Sequence, residues 1–256
     1  MIARCIGLGF ARGSQGDWLP GSRPLHLTRR GFLGFLGRSA LAASALSFLR
    51  IEAVHAEQAV DCPVYLFHIT SMATVERVIR ANLREGRIPV TVGRLASMMQ
   101  GDSEIPDAPL FAMTFDDGYL MQYQQAAPVL DRYEVPATFF VMGTGWQGDG
   151  VHTYMRPSQI QDLAERGHEI GSHTVNHANL VSLRTRNPGA YLGEIVSSKT
   201  QLEDLLQTEV RSFCYPNGAY NAAIVADVAT LYQAAASEIG GRAQGNVFLL
   251  RRTRPS

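Results

Sequence analysis

Leu110-Phe111-Ala112-Met113-Thr114-Phe115-Asp116-Asp117-Gly118-Tyr119 decides how the rest of the chain is read. Six apolar or small residues of strand length end in two adjacent carboxylates and a glycine. Apolar side chains at both odd and even positions predict a strand covered on both faces, as in a parallel sheet. Asp116 and Asp117 then stand where the chain leaves the sheet, and Gly118 lets the backbone turn behind them. Adjacent side chains point in different directions there, so the pair can do two jobs at one site. The plain alternative is an ordinary Asp-Gly turn.

Strand and helix patterns alternate on either side of this stretch. Strands are expected at 63–69, 88–92, 137–142, 169–172, 213–215, 232–237 and 247–250. Helical spacing marks 72–85, 95–99, 121–134, 157–167, 188–207 and 221–231, with Pro157 at a helix start where its missing N–H costs nothing. Such alternation predicts parallel βαβ units, as a closed barrel or a doubly wound sheet, with ligands gathering at the C-terminal strand ends.

The chain has 256 residues, 46% of them hydrophobic and 18% charged, which suits one globular domain with an appendage. Seven arginines lie in residues 1–56 against Asp17 and Glu52, so residues 57–256 carry a net charge of −5. A mildly acidic body makes a poor nucleic-acid binder. Thr28-Arg29-Arg30-Gly31-Phe32-Leu33 resembles the twin-arginine export motif. A modest apolar segment follows it, then Val54-His55-Ala56 as a small-residue cleavage pattern. Residues 1–56 are therefore expected to be a leader read by the twin-arginine export machinery, and 57–256 a domain working in the periplasm or outside the cell. Arg38 inside the apolar run counts against an uncleaved anchor. Cys62 and Cys214 remain in the body, and folding before export argues against joining them.

Two further stretches carry candidate chemistry. Gly171-Ser172-His173-Thr174-Val175-Asn176-His177 offers two histidines four apart, which would share a face on a helical turn. Two imidazoles plus a carboxylate from another strand end form a common three-ligand set for catalytic zinc. Phe213-Cys214-Tyr215-Pro216-Asn217-Gly218 ends a strand in a turn whose backbone N–H groups can face an oxyanion. Its plain alternative is a strand-to-helix turn with a tyrosine packed on it.

Together, in this order and spacing, these three motifs resemble the polysaccharide deacetylase family, the NodB-homology domain of carbohydrate esterase family 4. Pro63-Val64-Tyr65-Leu66-Phe67-His68-Ile69 is similar to the first strand of one branch, which includes exopolysaccharide poly-N-acetylglucosamine deacetylases. The resemblance implies an irregular (β/α)7 barrel acting on acetylated glycans. Position by position, it implies Asp117, His173 and His177 as metal ligands, with zinc usual and cobalt or nickel possible, and Asp116 as the catalytic base. It further implies the Asn217 backbone N–H on the oxyanion and Tyr215 lining the acyl pocket. N-deacetylation is the expected reaction. An O-acetyl esterase of the xylan type and a degenerate, non-catalytic carbohydrate-binding barrel are the alternatives.

The pattern is incomplete in two places. Peptidoglycan-type members carry an arginine where Cys214 stands, and it orients the catalytic aspartate, so Asp116 must be held otherwise. Those members also end in a Leu-x-Leu-His motif whose histidine is the general acid, and no histidine follows His177 here. His68 is the remaining donor at a strand end; Asp116 returning its proton is the other route. His152 and His168 are expected to be structural or surface residues. In the related branch an arginine near the end is usual, with Arg251 and Arg252 both eligible.

Overall fold

The computed structural model describes residues 60–143, 149–241 and 245–255. The expected leader, 1–56, lies outside them, as does the middle of the glycine-rich loop before Tyr154. The strands are β1 (Val64–Phe67), β2 (Ile88–Val90), β3 (Leu110–Phe115), β4 (Thr138–Val141), β5 (Glu169–Ser172), β6 (Ser212–Cys214) and β7 (Ala234–Ala236). Every pairing is parallel, in the order β1-β3-β4-β5-β6-β7, with β2 also on β3. Helices α1 (Met72–Arg84), α2 (Val92–Met99), α3 (Ala127–Arg132), α4 (Pro157–Glu165), α5 (Leu180–Arg186), α6 (Pro188–Leu206) and α7 (Ala222–Ala229) make the crossovers. The sheet curls into a half-barrel with helices packed against it; the alternation predicts its parallel βαβ build.

All six residues of β3 are buried. In register, Phe67, Phe115 and Phe139 stand side by side on β1, β3 and β4, with ring centroids 5.1 and 5.0 Å apart. Each such buried ring contributes about 1.5–3 kcal/mol. Together they form a stiff floor beneath the Asp116-Asp117 turn. Gly171 is obligatory in β5, because a Cβ there would meet the Phe140 ring at 2.5 Å and Ser212 Oγ at 2.6 Å.

Three expectations are corrected. Residues 247–250 are not a strand: Val247–Leu249 is a 3-10 turn, capped by the Asn246 side chain on the Phe248 N–H. What closes the sheet is the segment after it, through single parallel bridges from Leu250 to Ala236 on β7 and from Thr253 to Tyr65 on β1. Second, 121–134 is not one α-helix. Gln122–Ala126 forms a π turn, with the Ala127 N–H on the Gln122 carbonyl, before α3 begins. Pro128 has no N–H for the carbonyl four residues back, which disfavours a regular register there. Third, α5 occupies residues expected to be loop; Asn179 caps it by accepting the Ser182 N–H. Cys62 and Cys214 are buried and not joined to each other.

Candidate metal centre and the carboxylate beside it

The turn after β3 is strained where it matters. Asp117 has φ 75 and Gly118 φ 71, and a Cβ on Gly118 would lie 3.2 Å from Val141. Aspartate tolerates the left-handed region better than most residues, at some cost in energy. The strain turns the Asp117 carboxylate away from Asp116 and toward β5.

There it meets the two histidines. His173 Nε2 and His177 Nε2 each lie 3.3 Å from Asp117 Oδ1. The pairing is made by a turn rather than a helix, correcting the helical expectation: Thr174 has φ 66 and His177 φ 54. Glu194 on α6 holds this turn, accepting the Val175 and Asn176 N–H groups at 2.9 and 2.8 Å and the Asn176 amide at 2.7 Å.

These residues fit a divalent cation. Asp117 Oδ1 is buried and accepts no hydrogen bond. His173 Nδ1 lies 2.9 Å from the Cys214 carbonyl, which can only accept. A neutral ring therefore carries its proton on Nδ1 and offers the Nε2 lone pair to a cation shared with the Asp117 oxygen; with no cation there, the protonated ring is favoured instead. Two lone pairs facing each other call for a positive charge between them. Burial works against a charged His173, but Cys214, Asp117 and Asp116 overrule it and push its pKa well up. Burial would raise Asp117 too, yet His173, His68 and His177 pull it down to about 2. A carboxylate with two imidazoles is the donor set of catalytic zinc sites.

Asp116 is held apart from this cluster. It is completely buried, and Arg252 grips it with both arms: Nη1 to Oδ1 and Nη2 to Oδ2, each 2.7 Å. Arg252 is itself buried and fully engaged. Its Nε donates to the Ser237 carbonyl at 2.9 Å, Nη1 also to Thr114 Oγ1 at 3.1 Å, and Nη2 also to Cys214 Sγ at 3.1 Å. The guanidinium missing from position 214 is thus supplied from the far end of the chain, and the small Cys214 leaves room for it. Cys214 Sγ adds a contact of 3.4 Å to Asp116 Oδ2. Burial opposes ionisation of Asp116, but the Arg252 charge and hydrogen bonds outweigh it, so the carboxyl stays below its usual range.

His68, at the end of β1, lies on the same face. Its Nε2 is 3.9 Å from Asp116 Oδ2 and 3.8 Å from Asp117 Oδ2, and its side chain is 31% exposed. Gln122, buried in the π turn, ties the two strand ends together: its amide donates to the Asp116 carbonyl at 2.6 Å and reaches the His68 carbonyl at 3.4 Å. Glu238, beyond β7, brings a carboxylate oxygen within 4.8 Å of both His68 and Asp116.

Tyr215 is placed differently from expectation. Tyr215 does not line an open pocket. It is fully buried, packed on Phe213 and Tyr220, and its hydroxyl donates to the Phe248 carbonyl at 3.1 Å. Asn217 is exposed at the tip of the Pro216–Gly218 turn with φ 57. His168 is structural: its Nδ1 accepts the Ala137 N–H at 3.3 Å and its Nε2 faces Asp131 at 3.2 Å, beneath the sheet. His152 sits on the rim, 2.6 Å from Asp149.

Reasoning from sequence could not choose between Arg251 and Arg252, and it missed Gln122, Glu194 and Glu238. The apolar neighbours of Arg252 give no hint of a buried charge. Glu194 does carry a signal, as an acid on the buried face of α6.

Residues 104–235 match the family model for polysaccharide deacetylase. YxkH of Bacillus subtilis is 27% identical over 175 residues, covering 66% of this chain and 61% of that protein. A chitin deacetylase of Pestalotiopsis sp. is 36% identical over 96 residues, 38% of this chain and 28% of that one. The chain thus spans less than two thirds of the length of these relatives. Among solved structures, the Streptococcus pyogenes deacetylase PplD in complex with acetate superposes with a TM-score of 0.68 at 22% identity, over 77% of this chain and 93% of that one. IcaB from Ammonifex degensii gives 0.65 at 20%, over 78% and 93%. At such identities these likenesses bear on the fold.

Proposed function

The chain belongs to the polysaccharide deacetylase family, and from that membership we propose that it is a metal-dependent hydrolase releasing acetate from N-acetylglucosamine-containing poly- or oligosaccharides. The observation that carries this reading is the convergence of Asp117 Oδ1 with His173 and His177 Nε2 beside a buried, arginine-held Asp116. Asp117, His173 and His177 would hold the ion; zinc suits the donors best, and cobalt or nickel would also be accepted. A cation bound there supplies Lewis acidity toward an amide carbonyl and makes water more acidic.

The chain's own groups do the rest. Asp116 takes a proton from water as its oxygen bonds to the acetyl carbon. Arg252 keeps the carboxylate ionised and aimed while water is excluded behind it. The Asn217 N–H is the protein's donor for the developing oxyanion. When the C–N bond breaks, the amine needs a proton, and we read His68, beside both carboxylates, as its donor, with Asp116 returning its own proton as the competing route. His68→Ala is expected to lower kcat about 10²-fold and leave bound metal unchanged, the lower range for loss of a general acid. Near-full turnover in that variant would assign the proton to Asp116.

The test is metal content of the purified protein together with acetate release from chitooligosaccharides, poly-N-acetylglucosamine, peptidoglycan and acetylxylan. Bound metal and acetate from an N-acetylated glycan are expected. Acetate from acetylxylan alone would make it an O-acetyl esterase, and neither metal nor acetate would leave a binding barrel. Asp117→Ala is expected to lose the metal, with affinity reduced at least about 100-fold in competition with a chelating dye, since one of three ligands is gone. We further infer export by the twin-arginine route from Arg29 and Arg30; changing both to lysine should trap the protein in the cytoplasm.

A further inference from the structure

Glu194 is a carboxylate on the buried face of α6, and the proposed reaction does not use it. Its partners are neutral N–H groups: Oε2 accepts from the Val175 and Asn176 backbone, and Oε1 from the Asn176 amide. Among the described residues no basic side chain pairs with it. A side chain that only filled the core would be apolar there, as Ile195 and Leu202 on the same helix are. Burying a charge is costly unless hydrogen bonds replace its water. What Glu194 holds therefore accounts for its presence.

It holds the turn between the two metal histidines, and that turn is strained. Thr174, β-branched and fully buried, has φ 66, and His177 has φ 54. Left-handed backbone at such residues persists only where the surroundings over-determine it. Here the Gly143 N–H donates to the Thr174 carbonyl at 3.0 Å. The Ser198 hydroxyl meets that of Ser172 at 2.7 Å, directly before His173. Glu194 takes the two backbone N–H groups that follow Thr174. Positions 194 and 198 lie one turn apart on the same face of α6, so one helix grips the chain on both sides of His173. Hydrogen bonds to a carboxylate are about twice as strong as neutral ones, which makes Glu194 the firmer grip.

We propose that Glu194 is a positioning residue for the metal: it holds the left-handed turn in which His173 and His177 converge on Asp117, and thereby raises the affinity of the site. This rests on the metal-dependent reading above. Glu194 hydrogen-bonds none of the three ligand side chains and acts through Val175 and Asn176. These bonds are made within the protein, so the imidazoles are in place before an ion arrives and binding does not have to order them.

The experiment measures zinc affinity by competition with a chelating dye, with folding checked by urea unfolding. Glu194→Ala should bind zinc about 10- to 100-fold more weakly, the usual loss when the support behind a metal ligand is removed. Glu194→Gln keeps an acceptor for both backbone N–H groups and should stay within about threefold of wild type. Tyr191→Phe is the control for stability: it removes the hydrogen bond from α6 to Asp227 at 2.8 Å without touching the turn, and should stay within about twofold. If Glu194→Ala does not fold, Asn176→Ala deletes one of the three bonds at an exposed position and should weaken zinc binding about fivefold. Zinc bound as tightly by folded Glu194→Ala as by wild type would overturn the proposal, and so would wild-type affinity in Asn176→Ala where Glu194→Ala does not fold. An equal loss in Tyr191→Phe would also overturn it, since α6 would then act through stability alone. Wild type without affinity for zinc, cobalt or nickel would sink the metal reading and the proposal with it. Affinity that depends on Glu194, without acetate release from any glycan, would keep the proposal and sink the deacetylase.

Discussion

Asp116→Asn is expected to retain its metal and lose turnover by about 10³- to 10⁴-fold, the upper range for removal of a general base. Asparagine has the shape of aspartate but cannot take a proton from water at neutral pH. The three groups that converge on a cation, Asp117, His173 and His177, are untouched by the change. Metal analysis of wild type and variant side by side, with acetate release measured on the best glycan, checks the prediction. Retention of more than about a tenth of wild-type turnover would be incompatible with the general-base role, which carries at least about 10². The contrast with Asp117→Ala is what makes the pair informative. These adjacent carboxylates are expected to fail differently, one by losing chemistry and the other by losing the ion. A loss of about 3–5 kcal/mol of stability should accompany Asp116→Asn, because the buried Arg252 charge is left without its counterion and one amide N–H would face its donors.

That Asp116 and Asp117 stand together where a buried strand ends was legible in the chain because it is local. An apolar run must end, two side chains of one turn must diverge, and Gly118 must follow. The same holds for β1 to β7: each strand announces itself by its own apolar residues, and parallel order follows from the helices between them. What was not legible depends on contacts across the sequence. Residues 247–250 look like a strand because Val247, Phe248, Leu249 and Leu250 are apolar, yet they are apolar for packing on the core, and Asn246 caps them as a turn. His173 and His177 read as a helical pair from their spacing alone. The left-handed Thr174 and His177 replace that helix, and Glu194, seventeen residues or more away, satisfies the backbone that the turn leaves open. Tyr215 read as a pocket wall because the resemblance put it near the substrate; here its hydroxyl has a buried partner in Phe248 instead. Most of all, Asp116 and Arg252 are 136 residues apart, and no periodicity links them. Their pairing follows from the way Leu250 and Thr253 bridge β7 to β1 and so carry Arg252 under the active face.

Arg252→Ala is therefore expected to be the most damaging single change in the closing segment. Removing one partner of a buried, fully hydrogen-bonded ion pair costs about 3–5 kcal/mol, because the remaining charge is left without compensation. Here the loss strands Asp116, Thr114, the Ser237 carbonyl and Cys214 at once. Activity should fall about as far as in Asp116→Asn, since the base is then neither ionised nor aimed. The pH dependence gives the sharper check. In the wild type the folded pKa of Asp116 is lowered, so its contribution is present above the ordinary carboxylate value and is lost as pH falls through the depressed one. In the variant only His173 and His68 still oppose burial, and the folded pKa is expected to rise, so that stability is lost as pH rises from about 3.9 through that raised value. The stability gap between the two proteins should therefore widen from acid toward neutrality in urea unfolding of the metal-free forms. A gap independent of pH would mean that Arg252 acts by packing alone. Converting both residues, Arg252→Met with Asp116→Leu, should restore much of the lost stability, because an apolar pair of similar volume leaves no buried charge uncompensated, even though the Ser237 carbonyl stays without its donor. The same double variant should remain without activity, which separates what Arg252 does for the fold from what it does for the base.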